Sequence, residues 1–77
     1  MDKVFLRVRC SCTPEGEVQP IGFDWINGRY YEVDRVLDRR RAPSLLVGGK
    51  GIRYTCRVKE RTLYLFRDGD RWYAEPA

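Results

Sequence analysis

Histidine is absent from this 77-residue chain, and its absence removes the commonest general base at neutral pH. Ser11 and Ser44 have no base near them in sequence, so no nucleophile–base constellation emerges and the chain is expected not to be an enzyme. Cysteine occurs three times, as Cys10, Cys12 and Cys56. A Cys10-x-Cys12 pair with Cys56 would offer zinc three thiolates. No fourth ligand is evident, and structural zinc sites usually space their cysteines by about two to four residues. No metal or other cofactor is therefore expected. Long apolar runs are missing too. Nothing approaches the ~18 apolar residues that would span a membrane, and Asp2, Lys3, Arg7 and Arg9 interrupt the first ten residues where an export signal would need an apolar stretch. The expectation is a cytoplasmic protein with free thiols and no membrane partner.

What remains is enough for one modest core, and residues 1–77 are taken as a single domain. A chain of this size buries only about 60–65% of the surface it exposes when unfolded. Most of its ten aromatic residues are accordingly needed for packing. The formal charge is +4, and it is uneven. Residues 1–38 carry five Lys and Arg against seven Asp and Glu, whereas residues 39–77 carry ten against four. The positive field belongs to the second half, a distribution that suits a polyanion surface.

The pattern of side chains is that of strands throughout. Val4, Leu6, Val8 and Cys10 alternate with polar neighbours, with Phe5 on the polar side, which specifies a half-buried strand. Ser11 to Gln19, with Pro14 and Gly16, is a surface loop, and Pro20 can open the next strand. Phe23-Asp24-Trp25 runs into Asn27-Gly28 and out into Tyr30-Tyr31, a hairpin signal. A two-residue turn would set Phe23 against Glu32. A three-residue loop from Ile26 to Gly28, with Gly28 left-handed, sets Phe23 against Tyr31 and Ile21 against Val33, keeping Ile21, Phe23, Trp25, Tyr31 and Val33 on one face. The pattern breaks at Asp34-Arg35, where a bulge or bend is expected. Ala42-Pro43-Ser44 could start a short helical turn through Leu45 and Leu46 that Gly48-Gly49 would end, but residues 39–51 are read instead as a long irregular loop whose Leu45, Leu46 and Val47 close one end of the core. Lys50-Gly51 lacks the spacing of a phosphate-binding P-loop.

From Ile52 onward a three-strand meander is predicted. A tight turn at Lys59-Glu60 sets Cys56 opposite Leu63 and Tyr54 opposite Leu65. A second turn at Asp68-Gly69 sets Leu65 opposite Trp72 and Leu63 opposite Ala74. With no convincing long helix, the expected fold is all-β: a small antiparallel meander of five to six strands, closed as a partly open SH3-like barrel or alternatively an OB-like one.

If Tyr54, Cys56, Leu63, Leu65 and Trp72 face inward, the other side of the meander carries Arg53, Thr55, Arg57, Tyr64, Phe66, Arg71 and Tyr73. Of these, Arg53, Arg57, Tyr64, Phe66, Arg71 and Tyr73 form the candidate binding face. Aromatic rings provide stacking platforms for bases, and guanidinium groups provide phosphate contacts, so single-stranded nucleic acid is one expected partner. The alternative is a protein partner or self-association, through this face or through an unpaired edge strand. A third possibility is plain structure, since cross-strand Arg–Tyr packing stabilises an exposed sheet without any ligand. Asp24, Glu32, Asp34 and Asp38 cluster along the hairpin, but as an outward, solvated row pairing with nearby Arg.

Several of these motifs also resemble a known family. Phe23-x-Trp25, Gly28-Arg29-x-Tyr31, Val36-Leu37-Asp38, Gly51-Ile52-Arg53-Tyr54-Thr55-Cys56-Arg57, Leu63-Tyr64-Leu65-Phe66 and Asp68-Gly69-x-Arg71-Trp72 are together similar to small bacterial proteins common in anaerobic Firmicutes. More distantly they resemble a short actinobacterial domain encoded near translesion polymerase genes. The likeness covers roughly residues 20–75 and leaves out Cys10-x-Cys12. It brings no activity to transfer to this chain, and the polymerase neighbourhood it implies slightly favours nucleic acid. Relatives tend to carry glycines where this chain has Lys59-Glu60, which bears on the turn expected there.

Overall fold

Alternation of apolar and polar side chains with period two is what makes strands of Val4 to Cys10 and of the segments that follow Gly51. The computed structural model describes residues 4–42 and 51–76. They form seven strands: β1 (Val4–Cys12), β2 (Val18–Asp24), β3 (Tyr30–Glu32), β4 (Arg35–Ala42), β5 (Gly51–Val58), β6 (Arg61–Asp68) and β7 (Arg71–Pro76). No helix occurs among the described residues, so none there is long and apolar enough to cross a membrane. All pairings are antiparallel, in one sheet of order β3-β2-β1-β7-β6-β5-β4. The all-β expectation stands, with seven strands in place of five to six. The sheet curls into a half-barrel. Its two edge strands, β3 and β4, are joined by just Val33 and Asp34. Val33 N–H donates to the Ile21 carbonyl at 2.9 Å, and Asp34 N–H donates to the Arg57 carbonyl at 2.8 Å, so adjacent residues bind opposite ends of one sheet.

The concave side holds the core. Phe23, Tyr54, Cys56, Val58, Leu65, Trp72 and Ala74 are buried there, with Leu6, Val8, Val36, Ile52 and Leu63 packed around them. Tyr54 and Trp72 lie with ring centroids 5.4 Å apart, and the Tyr54 hydroxyl donates across the interior to the Val18 carbonyl at 2.8 Å. The β2–β3 hairpin has the three-residue loop: Trp25 N–H donates to the Arg29 carbonyl, Gly28 has φ +86°, and Phe23 faces Tyr31. The β5–β6 register also sets Cys56 against Leu63 and Tyr54 against Leu65.

Five details depart from expectation. The loop expected over Ser11 to Gln19 narrows to residues 13–17, because Ser11 pairs with Gln19 and Cys12 with Val18, so the second strand opens at Val18 and not at Pro20. The last turn is Gly69-Asp70, not Asp68-Gly69. Gly69 takes φ +63°, Asp68 pairs with Arg71, and Leu65 meets Ala74 while Leu63 meets Pro76. The slip is two residues, so the faces are conserved. The irregular loop expected over 39–51 is shorter, because Arg39 to Ala42 extend β4 against Gly51 to Tyr54. The turn and core-closing role assigned to residues 43–47 lie outside the described residues. A bulge skips Leu37, which is 47% exposed. Another irregularity between Arg9 and Cys10 skips Ile21, leaving Ile21 45% exposed and Cys10 exposed rather than inside.

Candidate functional site

On the convex side, side chains that share a row come from strands distant in sequence. Phe5 on β1 faces Tyr73 on β7, Tyr73 faces Phe66 on β6, and Phe66 faces Arg53 on β5. The rings form a continuous ladder. Phe66 stacks on Tyr73 at 5.0 Å with planes 2° apart, Phe5 meets Tyr73 edge-on at 5.8 Å, and Tyr64 meets Phe66 edge-on at 6.3 Å. Offset and edge-to-face pairs of this kind add about 0.5–1.5 kcal/mol each beyond area burial.

The ladder does not present its members equally. Tyr73 is 2% exposed, sealed between its neighbours, while Tyr64 and Phe66 are half-buried and Phe5 is half exposed. Tyr73 therefore supports the face from beneath. Trp72, its neighbour, points into the core. Of the six residues picked out from the sequence, Arg53, Tyr64, Phe66 and Tyr73 are in one cluster. Arg71 joins through Phe5. Arg57 is exposed further along β5, opposite Thr62 and Arg35, away from the rings.

Arginine sits on aromatic carbon at three points of this face. The Arg53 guanidinium carbon lies 4.6 Å from the Tyr64 ring centre, that of Arg9 lies 5.1 Å from Tyr30, and that of Arg71 lies 6.0 Å from Phe5. Gly22 makes the second pair possible. A Cβ at position 22 would collide with the Tyr30 ring, which lies over the bare backbone. All three distances are within the ≈ 6 Å reach of a cation–π contact. Among the described residues none of these three guanidiniums is tied to a carboxylate, in contrast to Arg40, whose Nε donates to Asp38 Oδ2 at 2.7 Å. The Arg53 Nε is buried, with no hydrogen-bond partner among the described residues.

Phe5, Arg9 and Tyr30 belong to this surface but were not chosen from the sequence. Phe5 was on the outward side of its strand from the start. What was missing was that β1 lies next to β7, a pairing that no turn connects.

Elsewhere the chemistry is quiet. Cys10 and Cys12 are exposed free thiols and Cys56 is a buried one. Burial raises the Cys10 pKa, the Arg67 guanidinium lowers it, and Cys12 raises it again, with a net upward shift. No group of three or more metal-ligating side chains gathers among the described residues. No family model, no curated protein and no solved structure matches the chain.

Proposed function

We propose that this protein is a non-enzymatic β-module that holds single-stranded nucleic acid on its convex face. The observation that supports it is the set of three arginine–ring pairs, Arg9 with Tyr30, Arg71 with Phe5, and Arg53 with Tyr64. A guanidinium lying on a ring keeps its in-plane N–H donors free, and those donors match phosphate oxygens. Phe5, half exposed, is the main place for a base to stack, with half-buried Phe66 and Tyr64 beside it. Arg7 and Arg57 are exposed on the same face and supply field without specificity.

The reading goes with a partly open SH3-like barrel in a reducing cytoplasm, with an OB-like barrel as the alternative closure. The family resemblance, with its polymerase neighbourhood, leans the same way. Partnering through an edge strand has less support. β3 spans three residues, and β4 carries Arg39, Arg40 and Arg41 and a bulge at Leu37, devices that discourage strand addition.

The experiment is fluorescence anisotropy of a labelled oligothymidylate of about twelve residues, within the usual site size. Three phosphate contacts on a single strand give a log–log salt slope near −2, so affinity falls roughly sixteen-fold between about 50 and 200 mM salt. Arg53→Ala with Arg71→Ala flattens the slope. Phe5→Ala leaves the charge intact and weakens binding by about 1–3 kcal/mol. Gly22→Ala, which displaces Tyr30 from beneath Arg9, also weakens binding at unchanged charge. Absence of salt-sensitive binding at about 100 µM protein, the weak end of non-specific affinities, would sink the proposal.

A further inference from the structure

The concave side of the sheet is filled at one end and open at the other. Tyr54, Leu65 and Trp72 occupy the filled end. Between the β5–β6 turn and the β2–β3 hairpin lies a cleft of ≈ 890 Å³, within the ~300–1,000 Å³ range of small-molecule sites. Phe23 is its buried floor. Trp25 meets Phe23 edge-on at 6.3 Å, and Tyr31 lies tilted at 5.8 Å on the other side. Trp25 and Tyr31 are both half-buried, so each keeps part of its ring open to the cleft.

The mouth has a different character. Arg29, Lys59 and Arg61 line it, with the Lys59 ammonium 5.9 Å from the Tyr31 ring centre. Glu60 also lines it, and Glu75, paired with Tyr64, borders it from the neighbouring strand. Among the described residues neither glutamate is ion-paired with any of the three cations. Three uncommitted cations above three aromatic walls select a ligand with matching halves. The rings take a flat π-system by stacking and edge contacts, and the cations take a negative group by charge-assisted hydrogen bonds. A quaternary ammonium, the usual guest of aromatic cages, is repelled by that mouth.

We infer that the concave cleft binds a small planar aromatic anion, with its ring against Phe23, Trp25 and Tyr31 and its phosphate or carboxylate at Arg29, Lys59 and Arg61. The sheet itself separates this site from the convex face, so either can fail without the other.

The test is amide and indole NMR of the full chain titrated with five probes. Adenosine 5′-monophosphate represents a nucleotide source and indole-3-carboxylate a carboxylic acid source. Adenosine lacks the anion, ribose 5-phosphate lacks the ring, and choline is the cationic control. Either anionic aromatic probe should shift the signals of Trp25, Tyr31 and Leu63 saturably, and the responding probe identifies the source. If the nucleotide responds, adenosine should bind about ten-fold more weakly, the increment of one charge-assisted contact, and ribose 5-phosphate should leave those signals in place. Arg29→Gln with Arg61→Gln, both exposed positions, should weaken the responding probe without altering the fold. Leu63→Trp should block the cleft, and if that variant does not fold the glutamine pair still decides. Silence of the cleft signals to both aromatic anions at roughly 5 mM, weaker than the millimolar range, overturns the inference. Adenosine binding as tightly as its monophosphate, or choline binding more tightly, overturns it as well. Shifts confined to Phe5, Arg53 and Phe66 would also overturn it, while supporting the convex site.

Discussion

The Cys56 thiol has no exposed surface, and it donates weakly to the Tyr54 carbonyl at 3.7 Å. Burial pushes its pKa up from 9.0 to about 12. Between those values the native state keeps a proton that the unfolded chain has lost. The stabilisation is fully present below the unfolded value and declines as pH rises, by at most about 1.4 kcal/mol per unit. Cys56→Ala should cost about 1–2 kcal/mol at neutral pH through its small cavity. It should also remove the steepest part of the decline in urea-melt stability above pH 9. An alkaline slope identical in the variant would contradict this account. A thiol-reactive chromophore offers a second check. Cys12 and Cys10 should react in the native protein, while Cys56 waits for unfolding.

At the scale of elements, the β5–β6 turn shows what local sequence cannot supply. Lys59 has φ +57°, a left-handed conformation that suits glycine and costs a side-chain-bearing residue about 1–2 kcal/mol. It is held there from outside the hairpin, because the Lys59 N–H donates to Asp34 Oδ2 at 2.7 Å. Asp34, in turn, is one of the two residues that link the sheet's edges. Lys59→Gly should therefore raise stability by about 0.5–1 kcal/mol, the relief being partly offset by glycine's larger entropy in the unfolded chain. Asp34→Ala should lower it by about 1 kcal/mol, and it should lower it less in the Lys59→Gly background. Paired denaturation curves measure both effects, and strictly additive changes would show that the carboxylate does not hold this turn. The same hairpins show what was legible. Phe23 against Tyr31 and Cys56 against Leu63 follow from alternation and turn chemistry, both local signals. The Gly69-Asp70 turn was misplaced because Asp-Gly and Gly-Asp loops preserve the same faces two residues apart. Arg39 to Arg41 looked like loop because three consecutive charges hide a period of two, although the register puts Arg39 opposite Tyr54 and Arg41 opposite Ile52. The convex face was half legible: its β5, β6 and β7 members are a meander, whereas Phe5 and Arg9 arrive through a non-sequential pairing.

For the whole molecule, the question is what keeps a seven-stranded sheet curled when its edges do not pair with each other. The Val33–Asp34 link holds the edges at one place. The Lys59 N–H to Asp34 carboxylate bond and the Lys59 ammonium over the Tyr31 ring add to it at the rim, and across the interior runs the 2.8 Å hydrogen bond from the Tyr54 hydroxyl to the Val18 carbonyl, between residues 36 apart in sequence. Tyr54 is fully buried, so its ring would hold the core with or without the hydroxyl. Tyr54→Phe isolates the tie: the ring stays and a carbonyl loses its donor. Stranding such a group costs about 1–3 kcal/mol if it stays dry, or roughly 4–8 °C in Tm per kcal/mol for a domain this small. The alternative is that β2 swings outward until water reaches Val18, which would make the loss smaller and widen the concave cleft. Hydrogen exchange separates the two outcomes. A rigid curl loses global stability while β1–β2 amides keep their rank in protection, whereas an opening curl exchanges β1–β2 amides first. Because Tyr54 also packs tilted against Trp72 and lies 6.0 Å below the Arg39 guanidinium, we expect the rigid outcome. Selective early exchange along Cys10 to Phe23 would show that the curl depends on this one hydroxyl.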